Sequence, residues 1–195
     1  NFLFPIIKDI HSPIILELGV QKGRSTKKFL EICKKNNGKL FSIDINDCSN
    51  VLNDNIWHFY QTRDDNFEFI KSKIPEKIDI LFIDTLHEAN HVKKLINEYY
   101  PLVKTGGFIF IDDISHLPYL KNKRRDNFYC EINNKETFDK LLEIYNVNFE
   151  KFDINFDFTS SGICKIVKKS ESLIKSKIIN TRSLSLKNFI RKIVR

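Results

Sequence analysis

The sequence predicts an α/β fold in which a doubly wound, mostly parallel sheet of seven strands ends in an antiparallel hairpin. Short apolar, β-branched and aromatic runs alternate with longer segments of helical periodicity. Most of the runs are continuously apolar rather than alternating, which is typical of strands covered by helices on both faces. A short polar segment, not a helix, separates the last two runs, and this spacing predicts the hairpin.

The predicted elements follow one another at regular intervals. Five parallel strands are predicted at Ile14–Leu18, Leu40–Asp44, Trp57–Tyr60, Ile78–Asp84 and Phe108–Asp112. Helices are predicted near Ser25–Lys35, Asp65–Ser72, Ala89–Val103 and Lys135–Tyr145. Helices between buried strands imply right-handed crossovers. The hairpin joins Asn148–Ile154 to Gly162–Val167 through Asn155–Ser161, and strands are expected to begin at Pro13 and at Gly106-Gly107.

The segment Ser115–Asn134 lacks clear periodicity. A loop of this length is either a functional lid over a site or a solvated insertion. Both interpretations stay open at this point.

The basic character of the chain resides in residues 169–195. This segment holds eight of the chain's 32 Lys and Arg residues but only one of its 25 Asp and Glu residues. The rest of the chain has 24 basic and 24 acidic residues and is therefore neutral. A neutral body disfavours nucleic acid as a substrate. Within this tail, apolar residues share one helical face, namely Leu186, Phe189, Ile190, Ile193 and Val194. Such a basic amphipathic helix could lie on an anionic membrane, bind a partner, or pack on the domain or on another subunit of a homo-oligomer.

Cysteine usage predicts a cytoplasmic protein. Cys33, Cys48, Cys130 and Cys164 form no CxxC pair and no metal-binding spacing. Free thiols are typical of a reducing compartment. No signal peptide is visible, and no apolar run approaches the roughly 18 residues of a membrane span. Because Asn1 is not an initiator Met, the numbered chain could be a fragment.

A glycine-containing turn follows the first predicted strand. Gly19 and Gly23 allow the backbone to turn tightly and to approach a ligand, and Glu17 precedes them. The second strand ends in Asp44, whose carboxylate could accept hydrogen bonds from ribose hydroxyls. After the third strand, Thr62 or Asp64 could contact a nucleobase, or Asp64 or Asp65 could instead cap the next helix.

Carboxylates also end the fourth and fifth strands. Asp84 and the pair Asp112-Asp113 are expected to meet at one edge of the sheet, where they would repel one another unless a cation or a shared proton intervenes. Oxygen ligands of this kind suit Mg²⁺. His87 follows Asp84 closely enough to act as a base near neutral pH, whereas His91, one helical turn later, is expected to be structural.

The order and spacing of these four motifs, over residues 12–168, resemble class I S-adenosylmethionine (SAM)-dependent methyltransferases. The chain is most similar to the catechol and macrolide-sugar O-methyltransferase-like branch, which includes cephalosporin-hydroxylase-like proteins. The resemblance implies a Rossmann-like methyltransferase domain at 1–168 followed by the tail at 169–195. It implies that SAM is bound by Glu17, Gly19, Gly23, Ser25, Asp44, Thr62, Asp64 and Asp84. It also implies Mg²⁺ at Asp84, Asp112 and Asp113, with His87 and Asp84 as catalytic residues. The catechol enzymes differ in having a lysine at the position of His87 and an Asp-Asn pair at 112-113.

The expected activity is methyl transfer to a hydroxyl of a small acceptor, such as a sugar. One alternative is an RNA or protein methyltransferase that docks through the basic tail. The other is a catalytically silent SAM-binding module in glycan assembly. The segment Ile83-Asp84-Thr85-Leu86-His87 lacks the Asn/Asp-Pro-Pro-aromatic pattern of amino-group methylation, which disfavours base methylation.

Overall fold

The computed structural model describes residues 3–117, 128–173, 190 and 193. Most of the predicted tail helix, and residues 118–127 of the predicted loop, lie outside the described residues. Ile190 and Ile193 are helical and exposed. Within the described part of the chain, no helix is long and apolar enough to cross a membrane.

Among the described residues, seven strands form one sheet in the order β3-β2-β1-β4-β5-β7-β6. Their bounds are β1 Ile14–Leu18, β2 Lys39–Asp44, β3 Trp57–Gln61, β4 Ile78–Ile83, β5 Val103–Asp112, β6 Phe152–Asp157 and β7 Ile163–Lys168. The first five strands pair in parallel. Strand β7 pairs antiparallel with both β5 and β6. The predicted fold class is therefore confirmed.

Helices cover both faces of this sheet. Their bounds are α1 Phe4–Ile7, α2 Arg24–Asn36, α3 Phe67–Lys73, α4 Ala89–Tyr99 and α5 Phe128–Asn148, with a short 3₁₀ turn at Tyr100–Leu102. On one face, Leu95 and Leu141 pack against strand residues such as Leu16. On the other face, Ile7 and Phe29 pack against strand residues that include Phe82 and Phe110. Burial from both sides accounts for the continuously apolar strands.

Three local predictions were wrong. The first strand of the hairpin spans Phe152–Asp157 rather than Asn148–Ile154, because α5 continues to Asn148. Helix α5 begins at Phe128 rather than Lys135, which shortens the predicted loop Ser115–Asn134. Gly106 and Gly107 lie inside β5 rather than at its start. Ile78 of β4 pairs with Val103, but Ile80 pairs with Phe108, so β5 has extra residues between these two pairs. The glycines therefore mark a bulge. Of the alternatives left open after β3, capping of α3 by Asp64 or Asp65 is excluded, because the capping position is Asn66.

The chain leaves β1 toward β2 and later returns to place β4 on its other side. In open α/β sheets this reversal of strand order opens a crevice at the carboxyl ends of the strands, where ligands bind. The fold therefore places the ends of β1 and β4, and the residues that follow them, at a natural binding position.

Candidate active site

A cleft of about 970 Å³ opens at this edge of the sheet. Of the residues predicted for the site, it is lined by Gly19, Ser25, Asp44, Asp64, Asp84, His87, Asp112 and Asp113. Glu17, Gly23 and Thr62 are not among the lining residues. The structure thus brings most of the predicted site together and places three residues behind or beside it.

Gly19 allows the turn after β1 to pass directly against the residue that follows β4. Its φ angle is +100°, and a Cβ atom added there would lie 1.9 Å from the backbone oxygen of Asp84. The Asp84 amide in turn donates to the Leu18 carbonyl at 2.9 Å. The turn and the carboxylate position are therefore one packed unit that only glycine permits.

Asp44, at the end of β2, binds the backbone of the same turn through its carboxylate. Its Oδ2 accepts hydrogen bonds from the backbone amides of Val20 and Gln21 at 2.9 and 3.0 Å. Its Oδ1 accepts from the amide of Asn46 at 2.8 Å. Burial opposes ionisation of Asp44, but these donated hydrogen bonds outweigh it and lower the pKa of the carboxyl. Asp44 is thus ionised while it lines the cleft.

Glu17 lies below the cleft and is fully buried. Its carboxylate accepts hydrogen bonds from Ser25 at 2.6 Å and from Ser42 at 2.8 Å. Burial raises its pKa from 4.5 to about 7, although the serine hydroxyls oppose the shift. The observed contacts of Glu17 tie the first turn of α2 to β1 and β2, so it supports the glycine turn from beneath.

Glu17→Gln should flatten the pH dependence of stability. Because the folded-state pKa of Glu17 is raised, protonated Glu17 stabilises the fold at low pH, and this contribution is lost as the pH rises from 4.5 to about 7. Over this window we expect the free energy of unfolding of the unaltered protein to fall by about 3 kcal/mol relative to the variant. Urea unfolding at a series of pH values measures the difference. Parallel pH profiles for the two proteins would contradict the assignment.

Asp64 and Thr62 take different positions after β3. The Thr62 hydroxyl accepts a hydrogen bond from the side-chain amide of Asn66 and stabilises the turn into α3. Asp64 lines the cleft, and its Oδ2 accepts a hydrogen bond from Nε2 of His91 at 2.7 Å. His91, predicted to be structural, also lines the cleft.

Asp84, His87 and Asp113 form a cluster in the wall of the cleft. Nε2 of His87 lies 3.2 Å from Oδ2 of Asp113 and 3.8 Å from Oδ1 of Asp84. One ligand atom from each of the three residues falls within 4.8 Å of the other two. Burial and the neighbouring charges of Asp112, Asp113 and Glu17 raise the pKa of Asp84 to about 7. The cluster concentrates negative charge that a proton or a cation would neutralise.

Asp112 also lines the cleft, but it is not one of the three residues whose ligand atoms come together. Its Oδ1 accepts hydrogen bonds from the Ser161 hydroxyl at 3.1 Å and from the amide of Asp113 at 2.9 Å. Burial and the charge of Asp113 raise its pKa. Asp113 has a positive φ angle of 56°, which carries its side chain around toward His87. The group of candidate metal ligands therefore contains His87 rather than the predicted Asp112.

The sequence did not reveal two other parts of the wall. The turn between β6 and β7 contributes polar residues, namely Asp157, Thr159, Ser160, Ser161 and Gly162. Exposed basic side chains also line the cleft, namely Lys22 from the glycine turn and Arg24 and Lys28 from α2. The hydrogen bond from Ser161 to Asp112 joins residues 49 positions apart, so local sequence offered no signal for it.

Solved structures share this fold. A caffeoyl-CoA O-methyltransferase candidate from Staphylococcus aureus is 18% identical, with a TM-score of 0.63 over 86% of this chain and 79% of that chain. MycE from the mycinamycin biosynthetic pathway, solved with Mg and SAH, is 18% identical with a TM-score of 0.61. The alignment covers 91% of this chain but only 50% of MycE. An rRNA-methylase candidate from Clostridium thermocellum is 17% identical, with a TM-score of 0.61 over 86% of this chain and 94% of that chain.

These likenesses show the Rossmann-like methyltransferase fold predicted from the sequence. Comparison with curated proteins gave no significant match. The profile described as "Methyltransferase domain" matches residues 16–114, about half of the chain. The matched segment begins within β1 and ends just after Asp113, and so includes both the glycine turn and the carboxylate cluster. The chain therefore belongs to the methyltransferase domain family.

Proposed function

We propose that this chain is a SAM-dependent O-methyltransferase whose acceptor is a hydroxyl of a small polyhydroxylated molecule such as a sugar. The observation that supports this most is the position of the Asp84, His87 and Asp113 cluster. It lines the same cleft as the Gly19 turn, and the Gly19 turn packs on the backbone of Asp84. A cofactor on the turn and an acceptor at the cluster would therefore be neighbours.

The residues present fit SAM. Gly19 lines the cleft, and because it has no side chain the turn can pack against the Asp84 backbone and present its own backbone to a ligand. Asp44, Asp64 and Asp84 line the cleft and provide negative charge for a cationic ligand. When bound, SAM supplies a methyl group on a positively charged sulfur. The turn would hold its methionine end, and a ribose hydroxyl would replace the side-chain amide of Asn46, which now donates to Oδ1 of Asp44 at 3.3 Å.

The cluster also fits a divalent cation. Two carboxylates and an imidazole offer three ligand atoms in a compact, half-buried group. The raised pKa of Asp84 shows that its negative charge is poorly compensated by the residues around it. The carboxylates of Asp84 and Asp113 would hold a cation such as Mg²⁺, which prefers oxygen ligands, and His87 would join them for a metal that accepts imidazole. When bound, the cation supplies charge neutralisation and lowers the pKa of a hydroxyl ligand.

Without a cation, the same residues can manage a proton. Nε2 of His87 can hold a proton from the acceptor hydroxyl, and Asp113 at 3.2 Å stabilises the resulting imidazolium. This is the role predicted for His87 from the sequence. Metal binding and proton removal by His87 would use the same side chains. Removing the metal distinguishes them, because only the first mechanism would then fail.

The polar turn between β6 and β7 favours a hydroxylated acceptor. Asp157, Thr159 and Ser161 line the cleft. The two hydroxyls donate to Asp157 and Asp112, which leaves their oxygens to accept hydrogen bonds. Such groups pair well with sugar hydroxyls, which both donate and accept hydrogen bonds. The sugar assignment also draws on MycE, whose solved complexes include one with Mg, SAH and mycinamycin VI.

The RNA alternative is favoured by one observation. Lys22, Arg24 and Lys28 are exposed at the cleft and could contact phosphates. The carboxylates in the wall of the cleft oppose it, since they would repel the nucleic-acid backbone. Docking of RNA, protein or membrane through the basic tail concerns residues mostly outside the described ones. A silent SAM-binding module would keep cofactor binding but transfer no methyl group.

Calorimetry and an activity panel test the proposal. We expect SAM and SAH to bind, and methyl transfer to occur to a sugar or other small polyol but not to RNA or a peptide. We expect EDTA to abolish the transfer and added Mg²⁺ to restore it. Failure of both SAM and SAH to bind would refute the proposal. Binding without any transfer would support the silent module, and EDTA-resistant transfer would assign proton removal to His87.

A further inference from the structure

The hydrogen bond between Asp64 and His91 has no role in the function proposed above. Nε2 of His91, on α4, donates a hydrogen bond to Oδ2 of Asp64 over 2.7 Å. The two side chains are only 10% and 14% exposed, yet both residues line the cleft. A carboxylate with so little access to water depends on such a partner to remain in one orientation.

Helix α4 holds the backbone of the same residue. The hydroxyl of the fully buried Tyr99 donates to the Asp64 carbonyl at 2.7 Å. Lys94, between these two contacts on the helix, binds the neighbouring Asp65 at 3.2 Å. Asp64 is thus fixed at its carbonyl and at Oδ2. Among the described residues, no hydrogen-bond donor engages its Oδ1.

The place of Asp64 in the sheet indicates what this carboxylate would meet. Asp64 follows β3, which is separated from β1 by β2. Neighbouring strands lie about 4.8 Å apart, so Asp64 lies about 10 Å along the cleft from the Gly19 turn. If SAM binds with its sulfur near Gly19 and Asp84, as the proposed function requires, its adenine reaches this end. Ile45, which is 59% exposed and lines the same cleft, offers an apolar face for the ring.

We propose that His91 is a positioning residue that holds the Asp64 carboxylate so that its Oδ1 accepts a hydrogen bond from the exocyclic amino group of the cofactor's adenine. An ionised carboxylate only accepts hydrogen bonds, so it favours an amino group and repels a carbonyl oxygen at the same place. His91 itself need not touch the cofactor. This inference rests on the proposed function and adds to it the residue that sets preference for the base.

The experiment compares two ligands by calorimetry. SAH carries the adenine amino group, and S-inosylhomocysteine carries a carbonyl oxygen in its place. We expect His91→Leu to weaken SAH binding by about tenfold, because a hydrogen bond to a charged group is lost. Binding of the inosine analogue should not weaken, because the carboxylate that repels its carbonyl oxygen is no longer held in place. His91→Gln, whose amide nitrogen can still donate to Asp64, should restore most of the SAH affinity. The control Lys94→Ala, on the same helix but outside the cleft lining, should change neither affinity.

The outcomes separate this inference from the proposed function. Failure of the unaltered protein to bind SAH would overturn the proposed function and this inference with it. If the unaltered protein binds SAH and His91→Leu binds it equally well, only the role of His91 is refuted. Equal loss of both ligands in His91→Leu would show a general structural role and would also refute it. Retained binding of the inosine analogue shows in the same experiment that the variant is folded.

Discussion

Replacing Asp84 or Asp113 with asparagine should reduce kcat/KM about 1,000-fold, within the range observed for loss of a group that assists proton transfer or holds a catalytic metal. Each change removes a negative charge from a cluster whose ligand atoms lie within 4.8 Å of one another. The affinity for SAH should change only a few-fold, because the Gly19 turn and Asp44 are untouched. Steady-state kinetics with an acceptor identified from the panel, together with calorimetry, measure the two effects separately.

Asp112→Asn is the matched control. Asp112 is adjacent in sequence and equally charged, but its Oδ1 faces Ser161 and the Asp113 amide rather than His87. We expect a loss of about tenfold, consistent with an electrostatic effect on the neighbouring cluster. If Asp112→Asn were as damaging as Asp113→Asn, the metal set predicted from the sequence would be the better description. Full activity of both Asp84→Asn and Asp113→Asn would remove the cluster from the mechanism.

Gly19→Ala should destabilise the fold and abolish SAH binding. The added Cβ would lie 1.9 Å from the Asp84 carbonyl oxygen, and backbone rather than a movable side chain stands in its way. The φ angle of +100° adds conformational strain for any residue with a side chain. We expect a loss of about 3–5 kcal/mol in the free energy of unfolding. Urea unfolding and calorimetry with SAH provide the measurements.

Gly106→Ala isolates the contribution of the backbone angle. Gly106 also has a positive φ, of +82°, but an added Cβ there would meet nothing within 4 Å. The Gly106→Ala substitution should therefore lower the free energy of unfolding by only about 1 kcal/mol and leave SAH binding intact. Similar losses in the two variants would mean that the close approach of Gly19 to Asp84 has no special importance. A Gly19→Ala protein that binds SAH normally would exclude this turn from the cofactor site.

The strands were predictable because their composition reflects their environment. Runs such as Ile14–Leu18 are buried from both sides by helices, so nearly every residue in them is apolar. The start of α5 was not predictable, because residues 128–134 show no clear apolar periodicity. The 106-107 glycine pair was misinterpreted because glycine serves both strand starts and bulges, and only the pairing with β4 distinguishes the two.

The site was predictable to the level of strands but not of rotamers. Parallel strands end at one edge, which was enough to bring Asp44, Asp84 and Asp113 to a single cleft. Which of two adjacent aspartates faces His87 depends on the φ angle of Asp113 and on Ser161, far away in sequence. The pairing of Asp64 with His91 likewise joins residues 27 positions apart on different elements. Neither contact follows from local pattern.

The hydrogen bonds from Val20 and Gln21 to Asp44 have a consequence for how a ligand arrives. They hold the turn in shape before anything is bound, so little conformational entropy remains to be lost on association. A preorganised receptor of this kind needs no slow ordering step, and its association rate is set by diffusion and by the negative charge that attracts a cation. Differences in affinity among related ligands would then arise mainly from differences in their dissociation rates.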